Sequence, residues 1–120
     1  MDIQIANRFA EAWITAWNKD DLNEILDRYA DDLPFYSPFI SLLKFNNEGV
    51  ITNKTDLKKY FQIGLDTYPD LHFHNCLVGI DTLVIYYTSV NGRMAAEVFE
   101  PDEQGKAMKV YCNYSKTGNS

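Results

Sequence analysis

The sequence predicts an α+β domain in which helices come first and an antiparallel sheet follows. Apolar residues recur at helical spacing from Ile3 to Trp17, and again in two shorter stretches before Pro69. After Pro69 the chain becomes a series of strand-like segments separated by turn signals, of which Asn91-Gly92 is the strongest. This order is typical of a fold in which helices cover one face of an antiparallel sheet.

The overall composition bounds the class of protein. With 120 residues the chain is expected to be one domain, 1–120, large enough for a real core. Its composition, 46% hydrophobic and 14% aromatic, excludes wholesale disorder. A net charge of −6 without a basic stripe argues against nucleic-acid binding, and no apolar run approaches membrane-spanning length. We therefore expect neither a nucleic-acid nor a membrane partner.

Targeting and cysteine patterns predict a cytoplasmic protein. The N-terminal residues contain no basic segment followed by an apolar run, so we expect no signal peptide. Cys76 and Cys112 have neither the spacing of metal ligands nor that of a disulfide framework. We expect both thiols to be reduced and partly buried.

The first two helices have recognisable starts. The first covers Ile3 to Trp17, with Asp2 as its N-cap. Asp21 and Glu24 have the spacing of a capping box, which predicts the start of a second, shorter helix.

The middle of the chain contains one strand, one poorly patterned stretch and the third helix. Leu33 to Tyr36 is long enough only for a short strand at a sheet edge. Pro38 to Asn53 is predicted as a long, partly structured loop that makes one helical turn or forms a lid. The third helix is capped at Asn53 or Thr55 and stopped by Pro69.

The C-terminal half is predicted to be all strand. The four segments are Leu71 to Gly79, Leu83 to Val90, Arg93 to Glu100 and Ala107 to Tyr114. Residues 116–120 are polar and predicted to be a frayed tail.

The Asn91-Gly92 turn also predicts a register for the two strands that it joins. A two-residue primed turn places Val90 opposite Arg93 and therefore Tyr86 opposite Glu97, on one face of the sheet. If that face is exposed to solvent, Glu97 is only a solvated charge. If helices cover it, the carboxyl is desolvated, its pKa rises, and it can donate or accept a proton.

Metal and nucleophile motifs are weak. His72 and His74 share a strand face, but a third ligand of matching geometry is missing, so surface histidines are the better interpretation. Ser37, His74 and Asp81 could be combined into a triad, but no nucleophile-elbow glycines flank the serine. Because there is also no dinucleotide or phosphate-binding glycine loop, we expect no metal and no cofactor.

Three parts of the chain have a recognisable pattern: AEAWITAWNKDDLNEILDRYADD followed by FYSPF, the helix DLKKYFQIGLDTYPDL, and the closing segment RMAAEVFEPDEQGKAMKVYCNY. They resemble the nuclear transport factor 2-like superfamily, which includes SnoaL-like polyketide cyclases and ketosteroid isomerases, and the resemblance covers nearly the whole chain. It implies a cone: three helices packed on a curved antiparallel sheet, an apolar pocket at the mouth, and a homodimer formed through the outer sheet face.

At only one of the three ketosteroid isomerase site positions does this chain have a chemically similar residue. The general-base aspartate, which precedes a proline in that family, corresponds to Ser37 before Pro38, and a serine has no useful basicity near neutral pH. The oxyanion-hole tyrosine corresponds to Trp13, which can donate one N–H bond. The protonated aspartic acid corresponds to Glu97, which is chemically similar. Steroid isomerase activity is therefore not expected.

The resemblance and the predicted register together define a candidate site. Its catalytic members are Glu97, Tyr86 and Ser37. The pocket members are Trp13, Trp17, Tyr36, Phe39, Tyr60, Phe99, Val110, Cys112 and Tyr114. The alternative, that these aromatic residues simply fill the cone as core, stays open.

Two functions follow from these patterns. The first is a pocket protein for a small apolar, ring-containing molecule, acting as a binder or as an isomerase, cyclase or dehydratase by proton transfer at Glu97, with Tyr86, Trp13 and Ser37 orienting a carbonyl. The second is a non-catalytic dimeric module with a filled cone. It would be favoured by an exposed apolar patch on the opposite sheet face, predicted to hold Tyr87, Ser89, Met94, Val98 and Met108.

Overall fold

The computed structural model describes residues 1–117, so residues 118–120 of the predicted frayed tail lie outside the described part of the chain. The helices are α1 (Ile3–Asn18), α2 (Leu22–Leu26), α3 (Pro38–Leu42) and α4 (Lys54–Leu65). The strands are β1 (Phe35–Tyr36), β2 (Val50–Ile51), β3 (His72–Val78), β4 (Leu83–Thr88), β5 (Met94–Pro101) and β6 (Ala107–Tyr114). No helix in this range is long and apolar enough to cross a membrane.

The predicted α+β class is confirmed, with two corrections. The six strands form one curved, unclosed sheet in the order β2-β1-β6-β5-β4-β3. All neighbours are antiparallel except β1 and β6, which run parallel, so the sheet is mixed and not purely antiparallel. The described chain also has four helices where three were expected, because part of the poorly patterned stretch forms α3. Bulges in β3 and at the end of β5 bend these strands and support the curvature.

The helix starts follow the predicted capping chemistry. The Asp2 side chain accepts a hydrogen bond from the Gln4 amide at 2.7 Å, and Asp21 accepts from the Glu24 amide at 3.1 Å. Of the two candidates for the cap of α4, the structure uses Asn53, which accepts from the Asp56 amide at 2.8 Å.

The helices bury one stripe each against the sheet or against one another. In α1, Ala6, Ala10 and Trp13 lie on one face and are fully buried, and the helix packs on β3. Helix α2 packs between α1 and α4, and α4 buries Leu57 and Phe61. These contacts cover one face of the sheet, and no helix of residues 1–117 covers the other face.

The predicted β4–β5 register is wrong by one residue. Asn91 and Gly92 do adopt positive φ angles, of 61° and 70°, as a primed turn requires. However, the Ser89 amide donates to the Arg93 carbonyl at 2.7 Å, so the loop has three residues, Val90 to Gly92, instead of the predicted two. Glu97 therefore pairs with Ile85 and Tyr86 pairs with Ala96.

Aromatic rings make up much of the core under the sheet. Phe99 is fully buried and makes edge-on contacts with Phe9 and Trp13, with ring centroids 5.2 and 5.8 Å apart. Tyr29 lies between Phe99 and Phe61, with ring centroids 6.4 and 5.3 Å away. The cysteines are both free and buried.

Candidate functional site

A cavity of about 300 Å³ opens between helices α1 and α4 and the inner face of the sheet. Most of its wall is apolar, much of it aromatic, and its polar groups are few. The side chains that carry those polar groups include Trp17, Tyr29, Tyr60, Tyr87, Arg93, Glu97 and Tyr114. An apolar wall with a few polar groups is typical of a site for a small organic molecule.

Glu97 is the buried carboxyl of this cavity, with only 4% of its surface exposed. Its Oε1 accepts a hydrogen bond from the Tyr87 hydroxyl at 2.6 Å. Its Oε2 is buried and has no hydrogen-bond partner among residues 1–117. Burial raises the pKa of this carboxyl to about 7, while the hydrogen bond from Tyr87 and the neighbouring Cys112 thiol act in the opposite direction. Near neutral pH, both the protonated and the ionised forms of the Glu97 carboxyl are therefore populated.

Tyr87, and not Tyr86, is the partner of Glu97. The extra residue at Val90 shifts the register by one, and a shift of one residue moves a side chain to the opposite sheet face. Tyr86 lies on the outer face, 39% exposed, with its ring 5.6 Å from that of His74. Tyr87 is buried at the cavity, and burial and the Glu97 charge raise its pKa well above the usual value, so it remains a proton donor.

Tyr29 lines the cavity and was not predicted as a site residue. It is fully buried, and its hydroxyl accepts a hydrogen bond from the Trp13 indole N–H at 2.9 Å. The expectation that Trp13 hydrogen-bonds a ligand carbonyl is therefore wrong, because that N–H is already donated. Burial raises the pKa of Tyr29 well above its usual value. The helical spacing of Tyr29 from Ile25 was the available signal, but it indicated only burial.

Ser37 caps α3 and does not line the cavity. Its Oγ accepts from the Phe39 amide at 3.3 Å and from the Tyr60 hydroxyl at 3.4 Å. Ser37 is the N-cap of this five-residue helix. Pro38 occupies the first helical position, where its fixed φ angle suits a helix and its missing N–H is not needed. The serine hydroxyl thus positions α3 and Tyr60 at the side of the cavity.

The predicted pocket residues divide into three groups. Trp13, Trp17, Phe39, Tyr60 and Tyr114 lie on the cavity wall. Phe99, Val110 and Cys112 are buried on the inner sheet face but do not line the cavity. Tyr36 was expected at the mouth and instead lies outside, stacked on Tyr111 with ring centroids 4.8 Å apart.

Trp17 adds a polar group that is not obvious from the sequence. Its indole Nε1 is buried and has no acceptor in the described part of the chain. The ring approaches α4 closely because position 64 is a glycine, where a Cβ would lie 3.3 Å from the Trp17 Cζ3. This places an unused donor in an apolar wall.

The described residues contain no group of three or more His, Cys, Asp or Glu side chains that could hold a metal ion. His74 contacts the Thr88 hydroxyl at 2.6 Å, and His72 lies 3.4 Å from the Asp70 carboxylate. Both histidines lie outside the cavity wall.

No family model matches this chain, and no curated protein does either. Solved structures do match. A SnoaL-like protein of unknown function from Burkholderia thailandensis E264 is 29% identical, with a TM-score of 0.91 over 96% of this chain and 98% of that chain.

Two more distant structures share the fold. SalBIII, described as an epoxide hydrolase/cyclase-like enzyme in pyran ring formation in the polyether salinomycin, is 13% identical, with a TM-score of 0.77 over 95% of this chain and 93% of that one. A nuclear transport factor 2-like protein of unknown function from Burkholderia xenovorans LB400 is 17% identical, with a TM-score of 0.73 over 98% and 88% of the two chains.

Proposed function

Because the chain belongs to the nuclear transport factor 2-like superfamily, we propose that its cone cavity binds a small apolar, ring-containing molecule on which Glu97 moves a proton. The reaction class would be isomerisation, cyclisation or dehydration. The cyclase-like description of the distant neighbour SalBIII agrees with this class but concerns that protein alone.

The observation that carries the proposal is the unpartnered Oε2 of Glu97. A buried carboxyl oxygen without a hydrogen-bond partner is costly, and a ligand in the cavity that supplies the missing contact would remove that cost. Tyr87 binds the other oxygen and fixes the orientation of the carboxyl. A general acid or base works best when its pKa is close to the working pH, and the pKa of about 7 meets that condition.

The proton step follows from this geometry. In the ionised form, Oε2 removes a proton from a carbon of the bound molecule, and the protonated carboxyl then returns it to another atom. A negative charge that develops on a ligand oxygen would be stabilised by donors in the wall. Tyr29 and Trp17 are the candidate donors. The Tyr29 hydroxyl accepts a hydrogen bond from Trp13, so its own proton can be donated. The Trp17 N–H has no acceptor among residues 1–117.

The test uses a substrate for general-base catalysis that fits an aromatic cavity, 5-nitrobenzisoxazole. A carboxylate removes the proton on its carbon 3, the ring N–O bond breaks, and a nitrile with a coloured phenolate forms. We expect saturable turnover by the wild type, at least about tenfold faster than by Glu97→Gln. Because the ionised carboxyl is the base, the rate should rise with pH around a midpoint near 7.

Glu100→Gln is the matched control, since it removes a carboxyl from the outer side of the same strand. It should react like the wild type. Equal rates for the wild type and Glu97→Gln would reject proton transfer at Glu97.

A second candidate is a dimeric module without catalysis. It is favoured by the outer sheet face, which no helix of the described chain covers. This face carries half-exposed apolar side chains: Leu77, Val84, Tyr86, Met94, Val98 and Tyr111. Of the residues predicted for this patch, Met94 and Val98 lie on it, whereas Tyr87 and Ser89 line the cavity. Such a face is suited to a second copy of the chain, and a homodimer is compatible with either function.

A further inference from the structure

Arg93 lies at the mouth of the cavity, next to the β4–β5 turn. Its guanidinium carbon is 4.9 Å from the centre of the Phe39 ring, and its side chain forms part of the wall. Arg93 and Glu97 lie on the same face of the sheet, because side chains alternate along a strand. Glu97 is four positions after Arg93 along an extended chain, so their Cα atoms are about 13 Å apart.

The charge of Arg93 has no counter-ion within residues 1–117. It forms no ion pair there, and its Nη1 makes one long hydrogen bond, 3.4 Å, to the Val90 carbonyl. Its Nε is buried without an acceptor. The edge formed by Nε and Nη2 is therefore not used by the described chain. A desolvated donor on a full positive charge is costly unless something pairs with it.

In general, the Nε–Nη2 edge of a guanidinium can bind a carboxylate with two parallel hydrogen bonds. We propose that the ligand of this cavity carries a carboxylate that Arg93 binds at the mouth, with its ring system between Phe39 and Glu97. This inference rests on the proposed function, which places the ring system in the cavity. It goes further in stating that the ligand carries a negative charge.

A carboxylate fits the wall better than a phosphate. Arg93 is the single basic residue among the described side chains that line the cavity. Phosphates usually need several cations or a cluster of backbone amides, whereas one planar fork matches one planar monoanion. The cavity volume is at the lower end of the usual range for ligand sites, about 300–1,000 Å³, which indicates one or two rings.

The test compares two probes that differ only in charge, 2-naphthoate and 2-naphthamide, by titration calorimetry at neutral pH. We expect the wild type to bind the carboxylate at least about tenfold more tightly than the amide. Arg93→Gln should lose this preference and keep its affinity for the amide within about twofold. Arg8→Gln, which removes an exposed arginine of α1, should behave like the wild type.

The outcomes separate the two proposals. Equal binding of both probes by the wild type, or a preference for naphthoate that survives in Arg93→Gln, would overturn the role of Arg93. If neither probe binds the wild type, the ring-binding cavity fails and this inference fails with it. If the preference is found but 5-nitrobenzisoxazole is not turned over, only the catalytic proposal fails. Circular dichroism of Arg93→Gln shows whether this variant is still folded, so that lost recognition is distinguished from lost folding. Arg93→Lys is a second variant, which keeps the positive charge but removes the planar guanidinium.

Discussion

At the scale of single residues, Glu97 and Tyr87 form the pair on which the proposed chemistry depends. The two side chains are diagonal neighbours on adjacent strands, and their hydrogen bond of 2.6 Å is buried. The hydroxyl stabilises the ionised carboxyl, whereas burial stabilises the neutral one, and burial is the larger effect. The working pKa therefore results from two opposing local contributions.

Removing the Tyr87 hydroxyl should raise the pKa of Glu97. Without the hydroxyl, the ionised carboxyl loses a donor, so Tyr87→Phe should raise the pKa of Glu97 above the wild-type value of about 7. The measurement is the titration of the Glu97 side-chain carboxyl by carbon-detected NMR.

Tyr86→Phe is the matched control, because it removes a hydroxyl from the neighbouring residue on the other face of the sheet. It should leave the titration unchanged. A wild-type midpoint near the ordinary value of 4.5, insensitive to Tyr87→Phe, would contradict the buried site.

At the scale of elements, the strands β4, β5 and β6 present two chemically different faces. The inner face carries Glu97 and the buried core, whereas on the outer face Val98 pairs with Val84 and Tyr111. Tyr111 is 42% exposed and Leu77, on β3, is 55% exposed. An uncovered apolar sheet face of this kind is expected to become buried by association.

We expect the chain to form a dimer through this outer face. Val98→Lys places a charge at its centre, and it should raise the dimer dissociation constant at least about tenfold in sedimentation equilibrium. Ile80→Lys is the control, since Ile80 is 90% exposed in the loop between β3 and β4. A wild-type protein that stays monomeric at all accessible concentrations would refute the dimer.

At the scale of the whole molecule, the cavity and the core are built from one continuous set of aromatic rings. Trp13 contacts Trp17, Tyr87 and Phe99, and Trp17 contacts Phe61 of α4. The dry surroundings of Glu97 thus depend on helices and sheet together. The protonation of this one carboxyl is consequently linked to the stability of the entire fold.

This linkage predicts the pH dependence of unfolding. The folded protein holds the Glu97 proton up to about pH 7, whereas the unfolded chain releases it near 4.5, so the contribution of this group to stability falls as pH rises between these values. At 1.4 kcal/mol per pH unit, the loss amounts to about 3 kcal/mol.

Chemical denaturation at several pH values measures this effect. The free energy of unfolding of Glu97→Gln relative to the wild type should increase by about 3 kcal/mol between pH 4.5 and pH 8. Glu100→Gln should show no such trend. A pH-independent difference between Glu97→Gln and the wild type would mean that the carboxyl is hydrated in the folded protein.

Local patterns in the sequence determined the element order, the helix starts and the superfamily resemblance. Capping depends on a side chain and an amide two or three residues away, so Asp2 and Asp21 could be identified without the fold. Glu97 could also be named from the sequence as the candidate carboxyl, because the resemblance and the strand pattern both led to that position.

Only the tertiary structure decided which groups surround Glu97. One extra loop residue, Val90, moved Tyr86 to the outer face and Tyr87 to the carboxyl, and the length of this loop is set by pairing across the two strands. The roles of Tyr29 and Trp17 depend on hydrogen bonds made or missing between distant segments. The sequence pattern reports which residues are apolar or polar and at what spacing. It does not report which atoms meet, and the chemistry of this cavity depends on those contacts.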